Sequence, residues 1–174
     1  MEEMIFVVRK AVEDDIPAIQ EITEEAFKMY AKGAGIKNPI AALSETQKDI
    51  KKDIDTKFFI VAVLNGEVVG SVRVEIKPDN TAYLSRFGVG IQYQNKGVGK
   101  ILMNAVDSKM IELEIENLYL HTASRLLSLV RFYYGRGFYI DSTTKERGYI
   151  RALLCKEYEV EQNDKNIDRD YEAI

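Results

Sequence analysis

The sequence predicts an α/β domain with a central mixed sheet and helices on both faces. Three observations carry that expectation. A β-hairpin signature lies in the middle of the chain, helical apolar spacing appears before and after it, and the elements run β-α-α-β-β-β-α-β-α-β-β. Strict alternation would give a parallel sheet and segregation would give separate layers; this order is neither. The 174 residues are 46% apolar and 30% charged, which suits one globular domain with a short appendage. We expect the domain to occupy residues 1–158 and an acidic tail to occupy residues 159–174.

The first strand is expected over Ile5 to Val12, a short run rich in β-branched residues. Glu13-Asp14-Asp15-Ile16-Pro17 then opens a helix, with an Asp able to cap free N–H groups and Pro17 tolerated in the first turn. Ile16, Ile19, Ile22, Ala26, Phe27 and Tyr30 recur at helical spacing, and Gly33, Gly35 and Pro39 end the run. A more polar helix is expected from Ile40 to about Asp53, with Leu43, Ile50 and Ile54 as its apolar stripe.

Phe58–Leu64 and Glu67–Ile76 flank Asn65-Gly66, a pair suited to the positive φ angles of a two-residue hairpin turn. Lys77-Pro78-Asp79-Asn80 turns the chain into a third strand, Thr81 to about Val89. After Gly99 the period changes: Val98, Ile101, Leu102, Ala105, Val106, Met110 and Leu113 mark one face of a long helix. Leu118–Thr122 reads as a strand and Leu126 to Tyr134 as a helix that Gly135-Arg136-Gly137 stops. Two strands, near Phe138–Ser142 and Tyr149–Tyr158, close the domain. Glu159 to Ile174 holds six acidic and two basic residues.

Composition narrows the function. The net charge of −4 argues against a general nucleic-acid binder, which usually carries a basic surplus. One Cys allows no internal disulfide, and no Cys/His cluster has zinc spacing, so no metal site is expected. No segment approaches the apolar length of a membrane span, and the acidic N-terminus does not resemble a secretory signal. The expected location is cytoplasmic, with no nucleic-acid or membrane partner.

The sharpest local feature is Phe87-Gly88-Val89-Gly90-Ile91-Gln92-Tyr93-Gln94-Asn95-Lys96-Gly97-Val98-Gly99-Lys100, which joins a strand to a long helix. Glycines there let a ligand approach the backbone, and the helix N-terminus favours phosphate. Lys96 and Lys100 add positive charge. Two familiar phosphate loops fit poorly. A Walker loop would need Gly where Gln94 stands and Ser or Thr where Ile101 stands, and the dinucleotide fingerprint loses its third Gly to Leu102.

The pattern Q-x-x-G-x-G, Gln94-Asn95-Lys96-Gly97-Val98-Gly99, resembles the loop of the GNAT family, the Gcn5-related N-acetyltransferases. Phe132-Tyr133-Tyr134-Gly135-Arg136-Gly137-Phe138 is similar to the family's later F-Y-x-x-x-G-F signature. With the element order, the likeness covers residues 5–158. It implies a GNAT-type central mixed, mostly antiparallel sheet flanked by helices, with acetyl-CoA as cofactor. By that resemblance, Gln94, Asn95, Lys96, Gly97, Val98 and Gly99, with Lys100 beside them, would wrap the pyrophosphate of coenzyme A. Phe87, Gly88 and Val89 would lie along the pantetheine arm, the main chain of Phe87 and Val89 pairing with it as an added strand would. Tyr133 would place its phenol near the thioester sulfur. The family often has Asn near the start of the helix that carries this Tyr, whereas Ser124-Arg125-Leu126-Leu127-Ser128 has none.

The implied activity transfers an acetyl group to a primary amine of a small molecule or a protein by direct attack on the thioester. The Val89 N–H is a candidate donor to the oxyanion. Tyr133 is the candidate acid, although passing a proton from Tyr at ~10 to a thiolate of ~8.5 is uphill by ~2 kcal/mol. Its first use is therefore as a hydrogen-bond donor. For the base, Glu24, Glu25, Glu75 and His121 are weighed against solvated or structural roles. Cys155 and Tyr134 read as core. The acceptor pocket is expected to involve Ile16–Asp53, Tyr83–Arg86 and the Thr143–Gly148 loop. The acidic balance favours a cationic acceptor through long-range attraction and equally suits solubility. A non-catalytic acyl-CoA sensor is the alternative reading, and a nucleotide-binding protein of another class a third. Pairing through the last strands offers one route to a homodimer.

Overall fold

The computed structural model describes residues 4–160. The acidic tail expected from the sequence lies, apart from its first two residues, outside the described residues. Seven strands form one sheet in the order β1-β2-β3-β4-β5-β7-β6. They are β1 (Phe6–Lys10), β2 (Phe58–Leu64), β3 (Glu67–Ile76), β4 (Thr81–Val89), β5 (Asn117–Ala123), β6 (Tyr139–Thr144) and β7 (Arg151–Glu157). Every neighbouring pair is antiparallel except β4 with β5. The helices are α1 (Ile16–Ala34), α2 (Gln47–Thr56), α3 (Val98–Glu112) and α4 (Leu127–Tyr134). The mixed, mostly antiparallel sheet expected from the sequence is therefore what the chain forms.

Alternation along β2 shows why helices cover both faces. Phe59 and Val61 point to a core with Ile16 and Ile19 of α1 and Ile50 of α2. Ile60 and Ala62 point to the opposite core with Leu102, Val106 and Met110 of α3. Successive strand side chains alternate in direction, so a strand covered on both sides is apolar throughout. Each fully buried Leu or Met of α3 contributes about 1.5–3 kcal/mol relative to exposure.

Local chemistry sets the boundaries. Asn65 and Gly66 take φ of 50° and 83°, both positive as the hairpin turn requires. Helix α1 runs through Gly33 and stops at Gly35, whose φ of 66° caps it. Asp15 does not cap α1 with its side chain. It accepts instead from the Val12 N–H at 2.8 Å and from both terminal nitrogens of Arg9 at 2.7 and 2.9 Å. The helix expected from Ile40 to Asp53 is divided: a single tight turn at Ala41–Leu43 precedes α2. Thr46 begins α2 because its hydroxyl accepts from the Asp49 N–H while the Asp49 carboxylate accepts from the Thr46 N–H. Tyr134, expected in the core, is 50% exposed.

Two charged clusters hold the layers together. Arg73 of β3 is fully buried, with its two terminal nitrogens on the carboxylate oxygens of Glu45 and one also 2.9 Å from Asp53. It ties the segment before α2, and α2 itself, to the sheet. On the other side Asp107 of α3 accepts from Arg136, Lys156 and Tyr158 at 2.6–2.9 Å.

Candidate active site

Strands β4 and β5 pair only over Thr81–Asn117, Ala82–Leu118 and Tyr83–Tyr119. Beyond Tyr83 they part: β4 stays with β3 to Val89, and β5 stays with β7 to Ala123. The split is assisted by a bulge in β4. Three steps from Ser85 to Gly88 face two from Arg73 to Ser71, and Arg86 has a φ of 51°. A bulge bends its strand and re-aims side chains, and here it does so beside the cleft.

A cavity of about 390 Å³ lies in this cleft. Ser85, Arg86 and Phe87 line it from β4, Leu120, His121 and Thr122 from β5, and Tyr133 from α4. Helix α1 closes one side with Phe27 and Tyr30, and the Ile36–Ala42 segment forms part of the rim. Tyr30 fixes that wall, since its hydroxyl accepts from the Ala123 N–H at 2.7 Å, and burial pushes its pKa up to about 12.

Tyr133 is 5% exposed and sits among aromatic rings. Its ring lies 6.3 Å from Phe87, 5.4 Å from Phe132 and 5.5 Å from Phe138, while Phe87 stacks on Phe132 at 5.8 Å. The F-Y and G-F halves of the motif therefore form one aromatic wall, joined by the turn at Gly137, whose φ is 93°. Burial raises the Tyr133 pKa well above the usual phenol value. The group is a neutral hydrogen-bond donor throughout the physiological range.

The glycine-bearing loop follows directly from the C-terminal end of β4, the end that has parted from β5. After a tight turn at Ile91–Tyr93, Asn95 and Gly97 take φ of 59° and 84°, and α3 begins at Val98. The N–H groups of Val98, Gly99 and Lys100 belong to the first helical turn and have no helical carbonyl to bond. The three glycines singled out in the sequence serve different ends. A Cβ on Gly97 would meet nothing within 4 Å, so its backbone is open to a ligand. One on Gly99 would lie 3.0 Å from the Phe87 ring, and one on Gly88 would lie 3.3 Å from the Ala26 Cβ. These two allow close packing of α3 and α1 on the sheet. Lys96 lies 5.8 Å from the Tyr93 ring centroid, Lys100 is exposed, and the Gln94 amide reaches toward the Val89 carbonyl at 3.5 Å. An open backbone with unpaired N–H groups and two nearby cations fits a pyrophosphate.

Of the candidate bases, Glu24 pairs with Lys28 on the exposed face of α1, and Glu75 is exposed at the end of β3. Neither these nor Glu25 line the cavity. His121 does, with Nδ1 2.5 Å from the Tyr83 hydroxyl. Burial lowers its pKa, and the positive charges of Arg151 and Arg147 lower it further, so the imidazole is neutral near pH 7. Cys155 is buried, as expected. Residues of Tyr83–Arg86, with Asn38 and Arg147, line the cavity as expected for the acceptor segments, whereas Arg151 was not anticipated. Its strand reads as apolar core, and only the β5–β7 register places it opposite Ala123 at the cleft.

A family model, Acetyltransferase (GNAT) family, matches residues 17–138. The chain belongs to this family, whose acetyl donor is acetyl-CoA. Among solved structures, it is similar to the PaiA N-acetyltransferase of Thermoplasma acidophilum in complex with coenzyme A. That match has 22% identity, covers 89% of this chain and all of the other, and has a TM-score of 0.78. The ribosomal-protein-S18-alanine N-acetyltransferase of Escherichia coli matches at 14% identity, over 95% of this chain and all of the other, with a TM-score of 0.74. Ard1 of Thermoplasma volcanium matches at 20% identity, over 87% and 97% of the two chains, with a TM-score of 0.72. At these identities the likeness concerns the fold. No curated protein matches the sequence. Among the described residues, no helix is long and apolar enough to cross a membrane.

Proposed function

We propose that this chain is an N-acetyltransferase that moves the acetyl group of acetyl-CoA to a primary amine held in the β4–β5 cleft. One observation carries the reading: the open N-terminus of α3 and the buried phenol of Tyr133 bracket the same parted strand, β4. The first-turn N–H groups of α3, with Gln94, Asn95, Lys96, Gly97 and Lys100, hold the pyrophosphate. Main-chain groups of Phe87 and Val89, no longer paired by β5, take the pantetheine arm as an added strand, and Gly88 lets α1 press close behind them.

Acetyl-CoA supplies an activated acetyl group, and the chain supplies position, polarity and proton handling. The Val89 N–H donates to the carbonyl oxygen as it gains charge. Tyr133 donates to the sulfur as it becomes anionic. Its raised pKa makes full proton transfer costlier than in water, so its role in the transition state is a charge-assisted hydrogen bond. His121 accepts the proton of the attacking amine, directly or through one water. In the tautomer where Nδ1–H donates to the Tyr83 oxygen, Nε2 keeps its lone pair for that purpose.

The test is amine-dependent release of coenzyme A thiol by purified protein across a broad panel of amines. Release that requires both amine and acetyl-CoA supports the reading. Saturable acetyl-CoA binding with no turnover on any amine would replace it with the non-catalytic sensor.

A further inference from the structure

The chain is acidic as a whole, yet the acceptor end of its cleft is not. Arg86, Arg147 and Arg151 line the cleft cavity, and among the described residues no Asp or Glu does. A second cavity of about 430 Å³ shares Tyr149 with the first and is lined by Arg125 and Lys145, again with no carboxylate among the described residues. Five cations thus border this pair of cavities, a cationic recess in a protein of net charge −4.

The arginines are not equivalent. Arg86 faces Glu45 at 3.7 Å, and Glu45 is already held by Arg73, so this group is partly compensated. Arg147 and Arg151 differ. Ion pairs among the described residues include Arg9, Arg73, Arg86 and Arg136, but neither of these two. Glu146 lies beside Arg147 in sequence, but it is exposed and does not line the recess. Both guanidiniums act on the Tyr83–His121 pair, where they oppose protonation of the imidazole. Guanidinium is the side-chain group best matched to carboxylate and phosphate, because its fork donates two parallel hydrogen bonds.

We propose that the acceptor is a small amine that carries its own anionic group, a carboxylate or a phosphate, anchored by Arg147 and Arg151 while the amine faces His121. The inference rests on the N-acetyltransferase reading and narrows its substrate class. A polyamine or a lysine side chain would bring an ammonium past two guanidiniums that have no carboxylate partner among the described residues, and would meet repulsion. For an anchored acceptor the same charges assist the chemistry. Nearby cations disfavour the ammonium form, so the bound amine loses its proton more readily. Nitrogen then bonds to the acetyl carbon, the carbon–sulfur bond breaks, His121 takes the amine proton, and the thiolate leaves against Tyr133.

The experiment compares matched amines: phenylalanine with phenethylamine, β-alanine with propylamine and O-phosphoethanolamine with ethanolamine, with spermidine as the cationic member. The anionic member of at least one pair should have the higher kcat/KM, by about tenfold or more. The first two pairs report on carboxylate and the third on phosphate. Arg147→Gln and Arg151→Gln should each lower kcat/KM for that acceptor by about tenfold or more, with a raised KM for it, while the KM for acetyl-CoA changes little. Preference for the uncharged members or for spermidine would overturn the inference while leaving the enzyme reading intact. If no amine is turned over, the enzyme reading fails and the anion site is judged separately. His121 is the only histidine in the chain, so its imidazole resonances are an unambiguous probe. Titration with N-acetylphenylalanine and N-acetyl-phosphoethanolamine should move them saturably, and the shift should vanish in Arg147→Gln/Arg151→Gln. Resonances indifferent to both anions would overturn the site.

Discussion

Replacing Tyr133 by Phe removes one oxygen and leaves the aromatic wall in place. The ring keeps its contacts with Phe87, Phe132 and Phe138, so folding should change little. What is lost is a donor to the developing thiolate. A hydrogen bond to a charged group contributes about 1.5–3 kcal/mol, and 1.36 kcal/mol is a factor of ten in rate, so kcat should fall about 10- to 150-fold. Binding of acetyl-CoA, whose sulfur is uncharged before reaction, should stay within a few-fold of the parent. The assay is single-turnover thiol release at saturating acetyl-CoA, paired with calorimetry for the affinity. A variant that keeps the parent rate would refute the assignment of Tyr133 to the leaving group. One that loses cofactor affinity in proportion to rate would make it a binding residue instead.

Other consequences concern stability and pH. Arg73→Met leaves Glu45 without its main partner, and breaking a buried pair costs about 3–5 kcal/mol, so Tm should drop by roughly 6–20 °C. A smaller drop on pairing it with Glu45→Gln, read by differential scanning calorimetry, would trace the cost to the uncompensated carboxylate. Burial alone would raise the Asp107 pKa, but hydrogen bonds from Tyr158, Lys156 and Arg136 outweigh it and hold the folded value low. A depressed folded value means the unfolded chain binds the proton first. This stabilisation is thus present above the unfolded value near ~4 and is lost as pH falls through the folded one. Asp107→Asn should flatten the acid limb of a urea-denaturation series, and an unchanged limb would contradict that. If His121 is the proton acceptor, kcat/KM should rise with pH through a value below its ordinary ~6.5, and His121→Gln should remove that limb.

How much was legible in the sequence follows from how local each feature is. Asn65-Gly66, the change of period at Val98 and the paired motifs around Gly97 and Tyr133 are written in contiguous residues, and the structure forms the hairpin, helix and aromatic wall they imply. The start of α2 was legible too, in Thr46-Gln47-Lys48-Asp49, but the apolar residues from Ile40 drew the boundary seven residues early. Arg73 could not be read this way. A lone Arg in a β-rich run reads as solvent-facing, and its partners Glu45 and Asp53 come from 28 and 20 residues earlier. The cationic recess was hidden for the same reason. Its arginines come from β4, the β6–β7 connection and β7, and the net charge pointed toward the opposite kind of acceptor. Gly88 and Gly99 show a related limit: a motif glycine can be required for packing and only its neighbour for a ligand.

The central claim is that the α3 N-terminus and the parted β4 strand bind acetyl-CoA. Isothermal titration of the purified protein with acetyl-CoA, beside a folded Gly97→Asp variant, tests it most directly. Gly97 has open space above it and a left-handed φ that Asp tolerates better than most residues, so the variant places a carboxylate where the pyrophosphate would lie. The parent should bind saturably and one-to-one, the variant at least tenfold more weakly, and neither ATP nor NAD should bind comparably. Absence of acetyl-CoA binding by the folded, cofactor-free parent, or equal affinity in the two proteins, would contradict it.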